Sequence, residues 1–302
     1  MEQGEKTADP REVRDHINLT AFGMILYSLT TLLFVLPSEF LSDGRFYWHL
    51  ATLGAVAGVA VLFFLYRRTM SVPVLFARSG REMTPPAFLL FLIVFFSAQM
   101  TSTLLELGLE ALLNALGLSM ESSLVYATLT STSPMMLFYA AVVAPVAEEL
   151  VYRGFCLRLT QRFGKVFAIV FSAFAFAVMH ENLPQAVFAF QAGLVLGFVT
   201  LRYSLHWAIL MHFINNFVLG DLADTLCAFL PENAQALLYY LFFGMMLISA
   251  VFVMSAKRGM LGAWLQENRA EKGTYRYALT ALLMIVLILM HLVPALLLLD
   301  IL

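Results

Sequence analysis

The stretch MMLFYAAVVAPVAEELVYRGFCL, residues 135–157, decides the fold class of this chain. It is long enough to cross a bilayer as a helix, which takes about 20 apolar residues. Yet it carries three charged side chains, Glu148, Glu149 and Arg153. A charge at membrane depth is unfavourable unless it is paired or hydrated. The stretch therefore indicates a membrane helix that holds a polar site inside the bilayer.

The rest of the chain has the composition of a membrane protein. Of its 302 residues, 61% are hydrophobic and only 13% are charged, and the mean hydropathy is +0.83. An ordinary soluble domain carries about 25% charged residues. These values exclude a soluble enzyme, a secreted disulfide-rich scaffold and a disordered chain. The same hydropathy makes the lipid bilayer the expected partner. Because the net charge is −2, no basic face for nucleic acid is expected.

Nine apolar runs are candidates to cross the membrane. They predict an all-α fold, a polytopic transmembrane bundle of eight or nine helices with a polar cavity inside the membrane. The count is eight if the short fifth and sixth runs merge or if the first run does not span. The nine runs are residues 17–36, 46–66, 86–105, 135–160, 165–181, 185–201, 206–226, 236–256 and 277–299.

The basic residues are unequally distributed between the connections of this map. When Arg153 is counted with the connection after the fourth run, 17 of the 18 Lys and Arg residues belong to alternate connections from the N-terminus, and moving Arg153 does not change the result. Cytoplasmic loops carry the excess of Lys and Arg. We therefore expect a multi-pass protein of the cell membrane with a cytoplasmic N-terminus. No polar insertion is long enough for a second domain, so residues 1–302 are predicted to form a single membrane domain.

The charges of the opening stretch differ in what they can pair with. Glu149 and Arg153 are four residues apart, so they share one helix face and can form an ion pair. Glu148 is turned by about 100° from Glu149 and cannot use the same arginine equally well. Glu149 is therefore expected to be a structural ion, and Glu148 is left available as a general base. The alternative is a helix end at the cytoplasmic interface, where charges are easily hydrated.

Polar side chains recur in two later apolar runs. His180 ends a largely apolar run, and Glu181 beside it is expected to be a loop carboxylate. His212 and Asn216 lie four apart on one helix face, where they can donate hydrogen bonds to an anionic oxygen or bind a metal. The alternative is hydrogen bonding between helices. Three further histidines are expected to have no polar partners and no functional role: His16, His49 and His291.

Together these residues form three motifs, EExxxR, FxxxH and HxxxN, in this order and in separate apolar runs. This set resembles the motifs of the CPBP family, the type II CAAX prenyl proteases and bacteriocin-processing (Abi) membrane proteins. The resemblance covers residues 135–225, which become the predicted catalytic core. The motif residues are Glu148, Glu149 and Arg153, then Phe176 and His180, then His212 and Asn216.

The resemblance implies an intramembrane endopeptidase of the glutamate-dependent type. Its substrate would be a membrane-associated peptide or protein, whose peptide bond is hydrolysed. Carried over to this chain, Glu148 and His180 would activate the attacking water. His212 and Asn216 would form the oxyanion hole. The second glutamate and the arginine of the first motif would hold the site in shape.

The histidine spacing favours catalysis without a metal. A zinc peptidase helix carries its two histidines as HExxH, whereas the sequence at residues 180–184 is HENLP. A metal would need Glu148, His180 and His212 from three different helices, with a carboxamide as a poor fourth ligand. We therefore predict no cofactor. The alternative is a zinc-dependent intramembrane metalloprotease that uses the same three residues.

Two other classes of membrane protein stay open. An immunity or scaffold protein without proteolytic activity would keep the fold, and an ion-coupled transporter would also place Glu and His in the membrane. The complete set of motifs favours the protease. A transporter usually shows related halves, and none are visible here.

The helix lengths place the motif residues at different depths in the membrane. They place Glu148 near the membrane centre, His180 near the external end of its run, and His212 near the cytoplasmic start of its own. We therefore expect the fifth and sixth runs to dip into a polar cavity without spanning the membrane.

Overall fold

The computed structural model describes residues 7–41, 45–70, 72–76, 81–127 and 133–302, and the described chain is largely helical. Two short strands, β1 Leu118–Ser119 and β2 Asp300–Ile301, form an antiparallel pair. The helices are α1 Pro10–Leu41, α2 Tyr47–Leu65, α3 Val72–Leu75, α4 Pro85–Ala115, α5 Glu121–Ala127, α6 Pro134–Phe163, α7 Lys165–Val178, α8 Leu183–Arg202, α9 205–227, α10 Glu232–Glu267, α11 Thr274–Leu279 and α12 Leu282–Leu297.

Six of the described helices are long and apolar enough to cross a membrane, namely α1, α2, α4, α6, α8 and α10. Helices α7 and α12 are apolar but shorter. The prediction of an all-α, multi-pass membrane protein is confirmed, whereas the count of eight or nine spanning helices is not. The expectation that the sixth run is too short to span is wrong, because α8 has 20 residues. The fifth run is short as expected, since α7 has 14 residues.

Several helices start at a capping residue followed by proline. The side chains of Thr84, Ser133 and Asn182 each accept a hydrogen bond from the backbone N–H three residues later. Such a cap satisfies one of the free N–H groups of the first turn. Proline fits the first turn because its missing N–H is not needed there. These signals fix the starts of α4, α6 and α8.

Helix α6 lies at the centre of the bundle, where it contacts α1, α2, α7, α8 and α9. On one side α1 packs against α2 and α12, so the first helix of the described chain contacts the last one. On another side α4 packs against α8 and α10. Gly54 and Gly58 of α2 allow α1 to approach closely, because a Cβ at Gly58 would lie 2.8 Å from the ring of Tyr27. Small residues are common where membrane helices pack closely.

The central helix is not regular. Within α6, residues Tyr139–Val143 and Glu149–Cys156 are π-helical, and α9 has a π-helical segment at Ile214–Leu222. A π-helical turn changes the direction in which side chains point relative to an α-helix, and such turns are frequent at functional sites. The irregular segments carry part of two motifs, so they position the polar side chains described next.

Candidate active site

The first motif contains the predicted ion pair. Nη1 of Arg153 donates to Oε1 of Glu149 at 2.9 Å, and both side chains are fully buried. Glu148 forms no hydrogen bond with Arg153 among the described residues. The side chain of Glu148 is 16% exposed. Of the two glutamates, only Glu148 can therefore be reached from outside the protein core.

The guanidinium of Arg153 is held by an aromatic ring and a glycine as well as by Glu149. It lies over the ring of Phe176, with 4.2 Å between its Cζ and the ring centroid. This is the geometry of a cation–π contact. On the other side, Gly193 of α8 leaves room, since a Cβ there would lie 2.9 Å from Nη2 of Arg153. Gly193 lies outside the three motifs, and its only signal in the sequence is a glycine inside an apolar helix, which indicates close packing.

His212 lies between the two glutamates. Its Nδ1 is 3.0 Å from Oε1 of Glu149, and its Nε2 is 3.7 Å from Oε2 of Glu148. The first distance is a hydrogen bond, and the second is an ion-pair distance beyond hydrogen-bond range. The sequence separates the two carboxylates by about 100° on an ideal helix. One imidazole nevertheless contacts both, because it uses one ring nitrogen for each.

These contacts fix the proton on one nitrogen of His212. A carboxylate can only accept, so Nδ1 carries the proton that is donated to Glu149. Nε2 then faces Glu148 either as a lone pair or, in the imidazolium, as an N–H donor. Glu149 accepts from both Arg153 and His212 through Oε1, and it therefore connects the first motif to the third.

His180 is also fixed through its Nδ1 atom. Its Nδ1 is 2.7 Å from the carbonyl oxygen of Phe176, so Nδ1 carries the proton and Nε2 has the lone pair in the neutral ring. No hydrogen bond or ion pair joins Glu148 and His180 in the part of the chain that the structure describes. The histidine that contacts Glu148 is His212.

Phe176 is the contact point of all three motifs. Its ring meets the rings of His180 and His212 edge-on, with centroids 4.7 and 5.8 Å apart, and it lies under the guanidinium of Arg153. Edge-on aromatic contacts are a favourable ring geometry. The sequence motif FxxxH includes Phe176 but indicates no role for it. The structure brings together all the motif helices around this ring, despite the depths that helix lengths suggested.

Asn216 lies one turn beyond His212, in the π-helical segment of α9. Its Nδ2 donates to the carbonyl oxygen of Ala140 at 3.0 Å, and Asn215 donates to its Oδ1 at 3.1 Å. The carboxamide is thus fixed at both ends between α9 and the first π-helical segment of α6. One of its two N–H bonds is used by Ala140, which leaves the second available to another acceptor.

A second polar cluster lies beside His180. Nδ1 of His291 is 2.7 Å from Oε1 of Glu181, and its Nε2 is 3.2 Å from Oγ of Ser28. The expectation that His291 has no polar partner is therefore wrong, because its partners lie on α1 and on the turn between α7 and α8. The same expectation is wrong for His16, whose Nε2 is 2.6 Å from Nη1 of Arg162.

The side chains of the described residues do not fit a metal site. No three His, Cys, Asp or Glu side chains among them lie close enough together to hold a metal ion. Nδ1 of His212 is already used by Glu149, and Nδ1 of His180 by a backbone carbonyl. Catalysis without a metal stays a prediction.

Part of the chain matches a known protein family. Residues 130–218 match the family model Rce1-like, described as type II CAAX prenyl endopeptidase Rce1-like. The match covers less than a third of the chain, and it includes every residue of the three motifs. It confirms the resemblance to the CPBP family. No curated protein and no solved structure matches the chain.

Proposed function

We propose that this chain is an intramembrane endopeptidase of the glutamate-dependent type. The observation that carries the proposal is the cluster of Glu148, Glu149, Arg153 and His212, buried inside a membrane protein and included in the family match. A water-activating carboxylate, a fixed imidazole and a fixed carboxamide are the groups that peptide hydrolysis needs. The substrate would be a membrane-associated peptide or protein.

The charges of the cluster support a particular order of proton transfer. Glu148, Glu149 and Arg153 together have one net negative charge, which is unfavourable in a medium of low dielectric constant. One more proton, on Nε2 of His212, makes the cluster neutral and leaves Glu148 as a carboxylate. Glu148 then takes a proton from water, while Nε2 of His180 accepts the second O–H and orients the attack.

The negative charge then develops on the scissile carbonyl oxygen. Hydroxide forms a bond to the carbonyl carbon, and the oxyanion accepts hydrogen bonds from Nε2–H of His212 and the free N–H of Asn216. When the C–N bond breaks, Glu148 returns its proton to the leaving amine. Glu149 and Arg153 act by holding the imidazole of His212 in place, as its Nδ1 contact suggests.

We also propose the number of membrane spans and the orientation of the N-terminus. Residues 1–302 form one membrane domain of eight or nine spans, with residues 135–225 as catalytic core around a polar cavity. The N-terminus is on the cytoplasmic side of the cell membrane, because the basic residues concentrate in alternate connections. Reporter fusions after Arg81 and Arg269 are expected to read cytoplasmic, and those after Glu121 and Pro231 external. A cytoplasmic reading after Pro231 would contradict nine spans and favour eight, with the fifth and sixth runs merged.

The experiment for the activity compares membranes that contain the wild-type chain with membranes that contain Glu148→Gln. Quantitative proteomics should find peptides that are cleaved only with the wild type, since the amide cannot take a proton from water. Glu106→Gln is the matched control, because it removes another carboxylate from a membrane helix, far from the motifs along the chain. It should give the wild-type cleavage pattern.

Two outcomes argue for the alternatives. Identical cleavage patterns for the wild type and Glu148→Gln would favour an immunity or scaffold protein. Loss of cleavage after exhaustive chelation, restored by Zn²⁺ and accompanied by stoichiometric zinc in the purified chain, would favour a zinc metalloprotease that uses Glu148, His180 and His212.

A further inference from the structure

The cluster of Ser28, Glu181 and His291 joins three parts of the chain that are far apart in sequence. Ser28 lies on α1, His291 on α12, and Glu181 on the turn between α7 and α8. His291 is buried, with 4% of its surface exposed. Ser28 and His291 lie outside the segment that matches the family model. A buried histidine with a partner at each nitrogen is held in one orientation.

The turn that carries Glu181 also carries His180. Glu181 has φ +52°, a left-handed conformation that is unusual for a residue other than glycine. This conformation lets the chain reverse between α7 and α8. His180 and Glu181 contact different partners: His180 contacts Phe176, and Glu181 accepts from His291.

Each residue of this turn is anchored separately. Nδ1 of His180 donates to its own helix, and Nδ2 of Asn182 donates to the carbonyl oxygen of Ser123 at 2.8 Å. Between them, the left-handed Glu181 is held by His291. Left-handed backbone in such a residue persists only where its surroundings enforce it. The hydrogen bond from His291 is one contact that can enforce it, and His291 has no part in the proposed reaction.

We propose that His291 is a positioning residue that fixes the turn and thereby holds Nε2 of His180 towards the reacting water. This role rests on the proposed peptidase function. The constraint runs from Ser28, which hydrogen-bonds Nε2 of the ring, to Glu181, which accepts a hydrogen bond from Nδ1–H. A shift of about 1 Å in a catalytic group lowers a rate by about 10²-fold, so loss of the contact between His291 and Glu181 is expected to have a large effect on turnover.

The arrangement also has the order of a serine–histidine–acid triad, which is recognised by geometry. We assign it a positioning role because Ser28 lies in the middle of a regular helix. No backbone N–H of such a helix segment is free to stabilise an oxyanion. A fluorophosphonate probe tests this assignment. Labelling of Ser28 in the wild type, lost in Ser28→Ala, would overturn the positioning role.

The first experiment measures amide hydrogen exchange across residues 179–183 in the full chain in detergent. In His291→Leu the amides of His180 and Glu181 should exchange about tenfold faster, because the turn opens more often. His291→Asn should restore slow exchange, since its Nδ2 can replace Nδ1 as donor to Glu181. His291→Gln should not, because its amide reaches the position of Nε2. Unchanged exchange in His291→Leu would overturn the proposal.

The second experiment measures hydrolysis of a fluorogenic peptide that ends in a farnesylated CaaX sequence. His291→Leu should lower kcat by about 10²-fold with little change in KM, because the site loses orientation and not affinity. His291→Asn should recover most of the rate. His49→Ala is the control for loss of a histidine outside both clusters and should keep the wild-type rate.

The two experiments separate two kinds of failure. No hydrolysis by the wild type would count against the proposed function with this substrate, and the exchange measurement would still decide whether His291 fixes the turn. An active wild type with full kcat in His291→Leu would overturn the positioning role alone.

Discussion

Two glutamate–arginine pairs in this molecule have the same chemistry in opposite surroundings. In the pair Glu149–Arg153 the atoms lie 2.9 Å apart and both side chains are 0% exposed. In the pair Glu12–Arg162 they lie 2.5 Å apart, with the side chains 45% and 51% exposed. The shorter contact is the weaker one, because water and salt screen it. Burial, and not distance, decides what each pair contributes.

The buried pair is also incompletely satisfied. Nε and Nη2 of Arg153 and Oε2 of Glu149 have no hydrogen-bond partner among the described residues. Breaking such a pair leaves an uncompensated charge in the core, whereas breaking the exposed pair leaves a hydrated one. The following predictions test this difference, in order of decreasing expected effect.

Removal of the buried arginine should have the largest effect on stability. Arg153→Ala is expected to lower the free energy of unfolding by about 3–5 kcal/mol, because the buried Glu149 then loses its ion-pair partner on the same helix. Reversible denaturant unfolding in micelles measures the loss. Glu148→Gln is the control and should unfold like the wild type, since it keeps the shape of the side chain. Equal losses in both variants would contradict the separation of a structural and a catalytic glutamate.

The second-largest expected effect is a loss of turnover when Asn216 is removed. Asn216→Ala should lower kcat by about 10²–10³-fold with little change in KM, as for loss of one oxyanion donor, equivalent to about 2.7–4 kcal/mol. Single-turnover assays on one cleavable peptide measure it. Asn268→Ala is the matched control, because Asn268 also donates to a carbonyl but lies at the end of α10. If Asn216→Ala lost bound zinc together with activity, the residue would be a ligand and not an oxyanion donor.

A smaller loss of stability is expected when the close packing around Arg153 is disturbed. Gly193→Ala should destabilise the protein by about 1–3 kcal/mol, because overpacking a core shifts backbone and side chains. Its Cβ would lie 2.9 Å from both Cα of Ala173 and Nη2 of Arg153. Gly108→Ala on α4 is the matched control, since a Cβ there meets nothing within 4 Å. Equal unfolding free energies for the two variants would show that the arginine pocket is not tight.

The exposed pair should show the smallest effect. Arg162→Ala is expected to lower the unfolding free energy by about 0–1 kcal/mol, and the loss should shrink as salt is added. The same unfolding assay at low and high ionic strength measures both quantities. A loss as large as that of Arg153→Ala, independent of salt, would mean that burial does not distinguish the two pairs.

The sequence predicted features that depend on local spacing. Apolar runs predicted the helices, and the spacing of Glu149 and Arg153 predicted their contact, because residues four apart meet on any helix. Helix α8 starts two residues before the predicted sixth run, because Pro184 is accommodated in the first helical turn. The catalytic roles of the motif residues stay predictions that the experiments above test.

Contacts between distant elements were beyond the sequence. The position of His212 between two glutamates depends on how α9 packs against a π-helical turn of α6, and ideal helix angles do not describe that turn. The partners of His291 lie 110 and 263 residues away along the chain. No periodicity or spacing rule connects residues at such separations.

The contact of His291 with Glu181 has a consequence for the order in which the protein is made. A ribosome adds about 5–20 residues per second, so the 110 residues between the two partners take about 5–20 s to synthesise. Once Asn216 has been added, all three motifs exist in the nascent chain, while the helix that carries His291 does not. On the positioning role proposed for His291, the turn beside His180 is fixed only after α12 has been synthesised and has packed against α1.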